Sequence, residues 1–170
     1  VQTCALPIWL NEAGLRVAVS QDIDRWCVET MRSNGHLALE GDIRALIAED
    51  ASCGFLLRAA GVDKESVFAV VGGPPCQSFS TAGKRKGVED ARGQLYQEFI
   101  KVVAAIQPRF FIMENVKGLA SMPADPDDIT SKPVLDTILE AFEDIGYTTV
   151  HGVLDAVHYG TPQLDRKSVV

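Results

Sequence analysis

The chain contains one stretch in which an apolar run leads directly into glycines and prolines: Val67-Phe68-Ala69-Val70-Val71-Gly72-Gly73-Pro74-Pro75-Cys76. The run from Val67 to Val71 is rich in β-branched residues, which is typical of a strand covered on both faces. Glycine permits close approach of the backbone, whereas each proline restricts φ and removes a hydrogen-bond donor. We therefore predict a buried strand followed by a stiff loop that presents the thiol of Cys76.

A cysteine in this position has two interpretations. It can be a nucleophile, because the thiolate is the reactive form and this loop would hold it outside the core at a fixed angle. It can also be a small buried residue at an ordinary corner between strand and loop, since free cysteine is among the most buried residue types. The loop by itself leaves both interpretations open.

The composition indicates one globular domain with a sizeable core, because 46% of the 170 residues are hydrophobic and 23% are charged. No apolar run approaches the roughly 20 residues of a membrane helix, and the chain does not open with a signal peptide. We therefore expect no membrane association and a cytoplasmic location. The four cysteines form no C-x-x-C pair and the three histidines show no metal-ligand spacing, so we expect neither a metal site nor a disulfide framework.

The charge pattern bears on nucleic-acid binding. A net charge of −7 argues against binding through overall electrostatics, although a local patch can still contact phosphates. The basic cluster Lys84-Arg85-Lys86, with Arg92 nearby, comes directly after the cysteine loop. A solvated surface is the default interpretation of such a cluster until another feature connects it to a ligand.

Apolar runs of strand length alternate with helical patterns along the chain. The predicted strands are Leu15–Val19, Val67–Val71, Phe110–Met113 and Tyr147–Leu154. The predicted helices are one ending at Ala13, one capped by Asp24 and running to about Arg32, one or two segments between Arg44 and Ala60, one carrying Phe99, Val102, Val103 and Ile106, and one from Val134 to Gly146. This alternation predicts an α/β fold with a doubly wound, mostly parallel sheet.

Ligands of open α/β sheets bind at the carboxyl ends of the strands, and three reactive side chains are predicted there: Asp22, Cys76 and Glu114. Asp22 can accept hydrogen bonds from ribose hydroxyls or cap a helix, and Asp42 can contact a cofactor or serve as a turn residue. Glu114 follows the apolar run from Phe110, where desolvation would favour the protonated carboxyl and allow proton donation. A cysteine beside such an acid suits attack on an electron-poor ring whose adjacent nitrogen the acid protonates.

Four motifs together resemble the signatures of the DNA cytosine-C5 methyltransferases. In chain order they are Gly72-Gly73-Pro74-Pro75-Cys76-Gln77-Ser78-Phe79-Ser80, Ala82-Gly83-Lys84, Glu114-Asn115-Val116 and Tyr159-Gly160-Thr161-Pro162-Gln163. The similarity covers about Trp9 to Gln163 as a catalytic methyltransferase domain. It implies a Rossmann-like sheet of the S-adenosylmethionine-dependent type, incomplete at both ends.

The resemblance implies a mechanism in which a target cytosine is flipped out of double-stranded DNA. Cys76 would attack C6 of the ring, Glu114 would protonate N3, and C5 would then take the methyl group of S-adenosylmethionine. Asn115 would brace the cysteine loop, and Arg166 is a candidate for the arginine that meets the cytosine O2. The resemblance also implies a monomer, and a role in DNA methylation within a prokaryotic restriction-modification system.

The resemblance further assigns residues to the cofactor and to DNA. The cofactor residues are Asp22, Ile23, Asp42, Ile43, Pro75 and Leu95. The DNA contacts are Gln77, Ser80, Lys84 and Arg92, which reinterprets the basic cluster as a phosphate contact.

The chain departs from the family pattern at both ends. Residues 1–8 contain none of the glycines of the family's first cofactor loop, and Gln163-Leu164-Asp165-Arg166-Lys167 stands where the family has Gln-x-Arg-x-Arg. The target-recognition region and the C-terminal helix of the family are not found after residue 163. We therefore expect a partial catalytic domain with weak or no activity of its own. The alternatives are an inactive relative that binds DNA or a partner, and a different thiol enzyme or redox-responsive domain.

Overall fold

The computed structural model describes residues 5–75, 95–125, 128, 130–160 and 166–170. They divide into two compact units, Val1–Val70 with Lys101–Phe110 and Val71–Ile100 with Phe111–Val170. The helices are α1 (Leu6–Glu12), α2 (Arg25–Ser33), α3 (Ile43–Glu49), α4 (Gly54–Ala60), α5 (Leu95–Ile106) and α6 (Val134–Asp144). The strands are β1 (Ser20–Asp22), β2 (Ala38–Glu40), β3 (Ala69–Gly72), β4 (Phe110–Val116), β5 (Gly152–Asp155) and β6 (Arg166–Val169).

The first unit is built on the parallel pair β1 and β2. Ser20 lies opposite Ala38, and Asp22 lies opposite Glu40. The connection between these strands is α2, whose first turn is capped by Asp24 as predicted: its carboxylate accepts hydrogen bonds from the backbone N–H groups of Trp26 and Cys27. Parallel strands joined by a helix are the βαβ unit that the sequence predicts.

The predicted first strand, Leu15–Val19, is wrong, because β1 begins at Ser20. A strand extends only as far as a neighbouring strand can pair with it, and the register of β1 starts where Ala38 of β2 becomes available. In consequence Asp22 is the last residue of β1 rather than a residue beyond the strand.

Among the described residues of the first unit, apolar side chains form two clusters. In one, Val28 and Met31 of α2 pack with Ala38 of β2. In the other, Ile47 and Cys53 pack with two α5 residues, Val102 and Ile106. Val102 and Ile106 belong to the apolar stripe that the periodicity of α5 predicts, so part of this stripe packs in the core of the first unit.

The main sheet has the strand order β3-β4-β6-β5. Strand β6 is antiparallel to both of its neighbours, β4 and β5, so these two run in the same direction. Mixed sheets of this kind are common among doubly wound folds. The α/β class is therefore confirmed, with short strands and one antiparallel insertion.

A cluster of aromatic rings packs within the second unit. Phe142 of α6 is fully buried and stacks on Phe111 of β4, with ring centroids 3.9 Å apart and an interplanar angle of 17°. Phe99 of α5 meets both rings edge to face, and Tyr147 meets Phe111 in the same manner. Such offset and edge-to-face arrangements are the favoured geometries of aromatic pairs. The cluster joins α5 and α6 to one face of β4.

The apolar run Phe110–Met113 predicts a buried strand, but only one face of this strand is covered. Met113 is 1% exposed, whereas Phe110 is 50% and Ile112 is 39% exposed. Successive side chains of a strand point to opposite faces, and the aromatic cluster covers only the face that carries Phe111 and Met113. The face that carries Ile112 and Val116 is open.

The predicted strand Tyr147–Leu154 also starts too early, because β5 spans Gly152–Asp155. The backbone N–H of Tyr147 donates to the carbonyl of Phe142 and thus belongs to the end of α6. The register of β5 with β6 starts at Gly152, opposite Val169. The helix predictions for α2, α5 and α6 are confirmed, since local spacing and capping residues define them.

Gly72, the last residue of β3, leaves no room for a side chain. A Cβ added there would lie 2.7 Å from Cε2 of Phe99, whose ring is held by the aromatic cluster. We expect Gly72→Ala to lower the free energy of unfolding by about 1–3 kcal/mol, the usual cost of overpacking. Urea unfolding followed by circular dichroism measures this loss.

The matched control is Gly152→Ala in β5, where an added Cβ has no atom within 4 Å. We expect this variant to unfold at the wild-type urea concentration or slightly above it, because alanine restricts the unfolded chain. Equal losses in the two variants would contradict a specific contact between position 72 and Phe99.

Among the described residues, no helix is long and apolar enough to cross a membrane.

Candidate active site

The loop after β3 is attached to β4 by one buried side chain. Asn115, which is 6% exposed, donates from Nδ2 to the carbonyl oxygen of Pro74 at 2.9 Å and accepts from the backbone N–H of Val116 at 2.9 Å. These partners fix the amide orientation, because one is an acceptor and the other a donor. Pro74 and Pro75 have no N–H groups, so their carbonyls are the backbone groups by which this part of the loop can be held. The family resemblance implies that Asn115 holds the cysteine loop, and this hydrogen bond joins Asn115 to that loop. The functional role of Asn115 stays a prediction.

Glu114 lies within β4, opposite Val169 of β6, rather than after the strand as predicted. Pairing with β6 extends the strand through Val116, which the local sequence does not reveal. Side chains alternate along a strand, so Glu114 shares the open face with Ile112 and Val116, and Asn115 lies on the covered face. The carboxyl is half-buried, and its Oε1 is fully buried. A carboxyl among apolar neighbours on an open face can exchange a proton with a ligand placed there.

Several predicted site residues lie outside the described part of the chain: Cys76, Gln77, Ser80, Lys84 and Arg92. Pro75, the residue before the cysteine, is exposed, and Leu95 is the half-buried first residue of α5. Arg166 is the first residue of β6 and lies opposite Asp155 of β5. The functional roles predicted for these positions are therefore supported by the sequence alone.

In the first unit, Asp22 and Ile23 lie at the carboxyl end of β1. Oδ1 of Asp22 accepts a hydrogen bond from the N–H of Asp24 at 2.9 Å, and the Ile23 side chain is 64% exposed. The helix-cap interpretation of Asp22 is wrong, because Asp24 caps α2. The interpretation as a ligand-facing carboxylate remains.

Asp42 and Ile43 follow the neighbouring parallel strand, β2, so they belong to the same sheet edge as Asp22. At this edge the N–H of Gly41, directly after β2, donates a hydrogen bond to the carbonyl of Asp22 at the end of β1, at 3.1 Å. Asp42 caps α3 through the N–H of Arg44, and its carboxylate also accepts from the guanidinium of Arg44, with Nη2 to Oδ2 at 2.6 Å. The side-chain hydrogen bond from Arg44, with its backbone N–H, lowers the pKa of Asp42 below its ordinary value.

The position of Arg44 was not predicted from the sequence. The guanidinium reaches Asp42 from two residues further along the chain and binds both carboxylate oxygens. The local signal for it is an acidic cap followed by arginine in the first helical turn, a pattern that is not specific to a site. The contact keeps Asp42 ionised and restricts its rotamer.

Within the described residues, no group of three His, Cys, Asp or Glu side chains is arranged to hold a metal ion.

Comparison with solved structures defines the class of protein. A crystal structure assigned as a DNA modification methyltransferase, encoded within a prophage (E. coli), superimposes with a TM-score of 0.71 at 26% identity, over 97% of this chain and 42% of that one. This similarity confirms the Rossmann-like methyltransferase fold.

The sequence comparisons identify the family. Residues 5–169 match the model of the C-5 cytosine-specific DNA methylases, and the chain belongs to this family. The type II methyltransferase M.AquIA of Picosynechococcus sp. is 36% identical over 93% of this chain, and M.FnuDI of Fusobacterium nucleatum is 34% identical over 96%. The chain spans 63% and 42%, respectively, of the lengths of these relatives. The family assignment from the four motifs is confirmed.

Proposed function

We propose that the protein containing this chain transfers a methyl group from S-adenosylmethionine to C5 of cytosine in double-stranded DNA. The observation that carries this proposal is the 2.9 Å hydrogen bond from Asn115 to the carbonyl of Pro74. It links the loop that leads into Cys76 to the residue that follows Glu114 in β4. Because Asn115 holds the loop that carries the nucleophile and is the neighbour of Glu114 in β4, the nucleophile and the acid can keep a fixed relative position, which catalysis requires.

The chain's own residues divide the chemistry between them. The Cys76 thiolate forms a bond to C6 of a flipped-out cytosine, while Glu114 hydrogen-bonds to N3 and delivers a proton there. Electron density then collects at C5, which takes the methyl group that S-adenosylmethionine supplies as an electrophilic sulfonium. Loss of the C5 proton to a base, breakage of the C6–sulfur bond and return of the N3 proton to the Glu114 carboxylate release the methylated base and regenerate the thiolate.

The residues at the carboxyl edge of β1 and β2 fit the nucleoside part of this cofactor. The carboxylate of Asp22 is suited to ribose hydroxyls, and the exposed Ile23 offers an apolar contact for a planar base. Asp42 and Ile43 come from the adjacent parallel strand. The family resemblance also assigns Pro75 and Leu95 to the methionine part of the cofactor.

We further propose that Gln77, Ser80, Lys84 and Arg92 contact the DNA and that Arg166 contacts the cytosine. The basic residues among them can bind DNA despite the net charge of −7, because phosphate binding requires positive charge only where the protein meets the DNA backbone. The bacterial relatives are named type II methyltransferases, which supports a role in a restriction-modification system. Action as a monomer in the bacterial cytoplasm is part of the same proposal and stands on the family resemblance. The relatives are longer than this chain, so these proposals concern the whole protein, in which residues 1–170 form part of the proposed catalytic domain.

The proposal predicts a covalent complex with DNA that contains 5-fluorocytosine. Fluorine at C5 cannot leave as the proton does, so the adduct formed after methyl transfer is trapped and survives denaturing electrophoresis. We expect the full-length wild-type protein that contains this chain to form this complex only when S-adenosylmethionine is present, and its Cys76→Ser variant to form none.

The matched control is Cys27→Ser, a cysteine of α2 outside the proposed site, which should give the wild-type amount of adduct. A wild-type protein that binds DNA but forms no adduct would contradict methyl transfer and indicate an inactive DNA-binding relative. An adduct that persists in Cys76→Ser would assign the nucleophile to another residue.

A further inference from the structure

Two large apolar side chains are exposed at the start of α2. Ile23, directly after β1, is 64% exposed, and Trp26, the second residue of the helix, is 76% exposed. Single exposed apolar residues are common on protein surfaces and require no explanation. These two are different because they flank the Asp24 cap and follow Asp22 at the carboxyl end of β1, where we propose that the cofactor binds.

The backbone of Trp26 is held on both sides. Its N–H donates to Oδ1 of Asp24 at 2.7 Å, and its carbonyl accepts from the hydroxyl of Thr30 at 2.8 Å. The Cα–Cβ bonds of a helix tilt toward its N-terminus, which here is the end that adjoins β1. This tilt directs the Cα–Cβ bond of Trp26 toward the end of α2 that follows Asp22 and Ile23 in the chain.

We propose that Trp26 forms a second wall of the adenine site, with Ile23 as the first. This inference rests on the proposed function, since it assigns a further positioning residue to the cofactor site. Adenine is a planar ring with apolar faces, and an indole offers a matching flat surface at low cost in conformational entropy. The neighbouring Asp22 carboxylate identifies the occupant as a nucleoside, because it accepts hydrogen bonds from ribose hydroxyls at the same edge.

The test uses the two tryptophans of the chain, Trp9 and Trp26. In the Trp9→Phe variant, Trp26 is the only tryptophan within residues 1–170, and titration with S-adenosylhomocysteine should change its emission saturably, with the Kd that calorimetry gives. Base stacking on an aromatic side chain is worth about one to two powers of ten in affinity. We expect Trp26→Ala to raise the Kd about tenfold and Trp26→Phe to restore most of the affinity.

Trp9→Phe is the matched control, because Trp9 of α1 is also exposed and its replacement should leave the Kd unchanged. If wild-type protein binds S-adenosylhomocysteine and Trp26→Ala has the same Kd, the role of Trp26 is overturned while the proposed function stands. If wild-type protein gives no binding at all in calorimetry, the cofactor proposal fails and the inference fails with it. A changed thermal midpoint in Trp26→Ala, read by circular dichroism, would trace a weaker Kd to folding and overturn the contact.

Discussion

Replacing Glu114 with glutamine is expected to lower the rate of methyl transfer by about 10²–10⁴-fold, the usual contribution of a positioned general acid. Glutamine keeps the shape of the side chain but cannot deliver a proton to N3 of cytosine. The strand should tolerate the change, because the backbone of β4 is paired with β6 through Glu114, Asn115 and Val116 irrespective of the side chain. Transfer of labelled methyl groups into DNA under single-turnover conditions measures the effect.

The matched control for this prediction is Glu140→Gln. Glu140 makes an ion pair with Lys132 on the exposed surface of α6, and surface pairs of this kind contribute little. We expect its methyl-transfer rate to stay at the wild-type level. Full activity of Glu114→Gln, with unchanged binding of S-adenosylhomocysteine, would remove Glu114 from the proton chemistry.

Phe142→Ala is expected to lower the free energy of unfolding by about 3–5 kcal/mol. The ring is fully buried, stacks on Phe111 and meets Phe99 edge to face, so its removal leaves a cavity between α6 and β4. Small domains have a total stability of about 5–15 kcal/mol, so this loss is a large part of the whole. Urea unfolding followed by tryptophan emission and circular dichroism measures it.

Phe68→Ala provides the comparison. Phe68 is 55% exposed and contacts mainly the ring of Phe110, so its truncation should cost only about 1 kcal/mol. A Phe142→Ala variant no less stable than Phe68→Ala would show that the aromatic cluster is not the core of the second unit.

The parts of the fold that depend on neighbouring residues could be predicted from the sequence. Asp24 caps α2 as expected, and the spacing of Val102, Val103 and Ile106 gives the buried stripe of α5. Caps and stripes depend on residues within one or two turns, so the local sequence contains the information. The strand limits could not be predicted in this way, because Ser20 and Gly152 begin their strands only where Ala38 and Val169 pair with them.

The candidate site also has features that the local sequence predicts and features that only the folded structure decides. Asp22 was also interpreted as a helix cap and Asp42 as a turn residue, and only the hydrogen bonds in the structure show that Asp24 caps α2 and Asp42 caps α3. The face on which Glu114 lies follows from the pairing of β4 with β6, which joins residues more than fifty positions apart. Local patterns do not contain such long-range pairings.

The sequence alone determined the family and the order of the motifs, because Cys76 and Glu114 stand in short signatures whose residue types their chemistry requires. Tertiary structure decided how those signatures are supported. Asn115 reaches Pro74 across 41 positions of sequence, and the ring of Phe99 is what makes glycine necessary at position 72. The physical reason is that reactivity depends on the type of a side chain, whereas its position depends on packing and hydrogen bonds that only the folded chain creates.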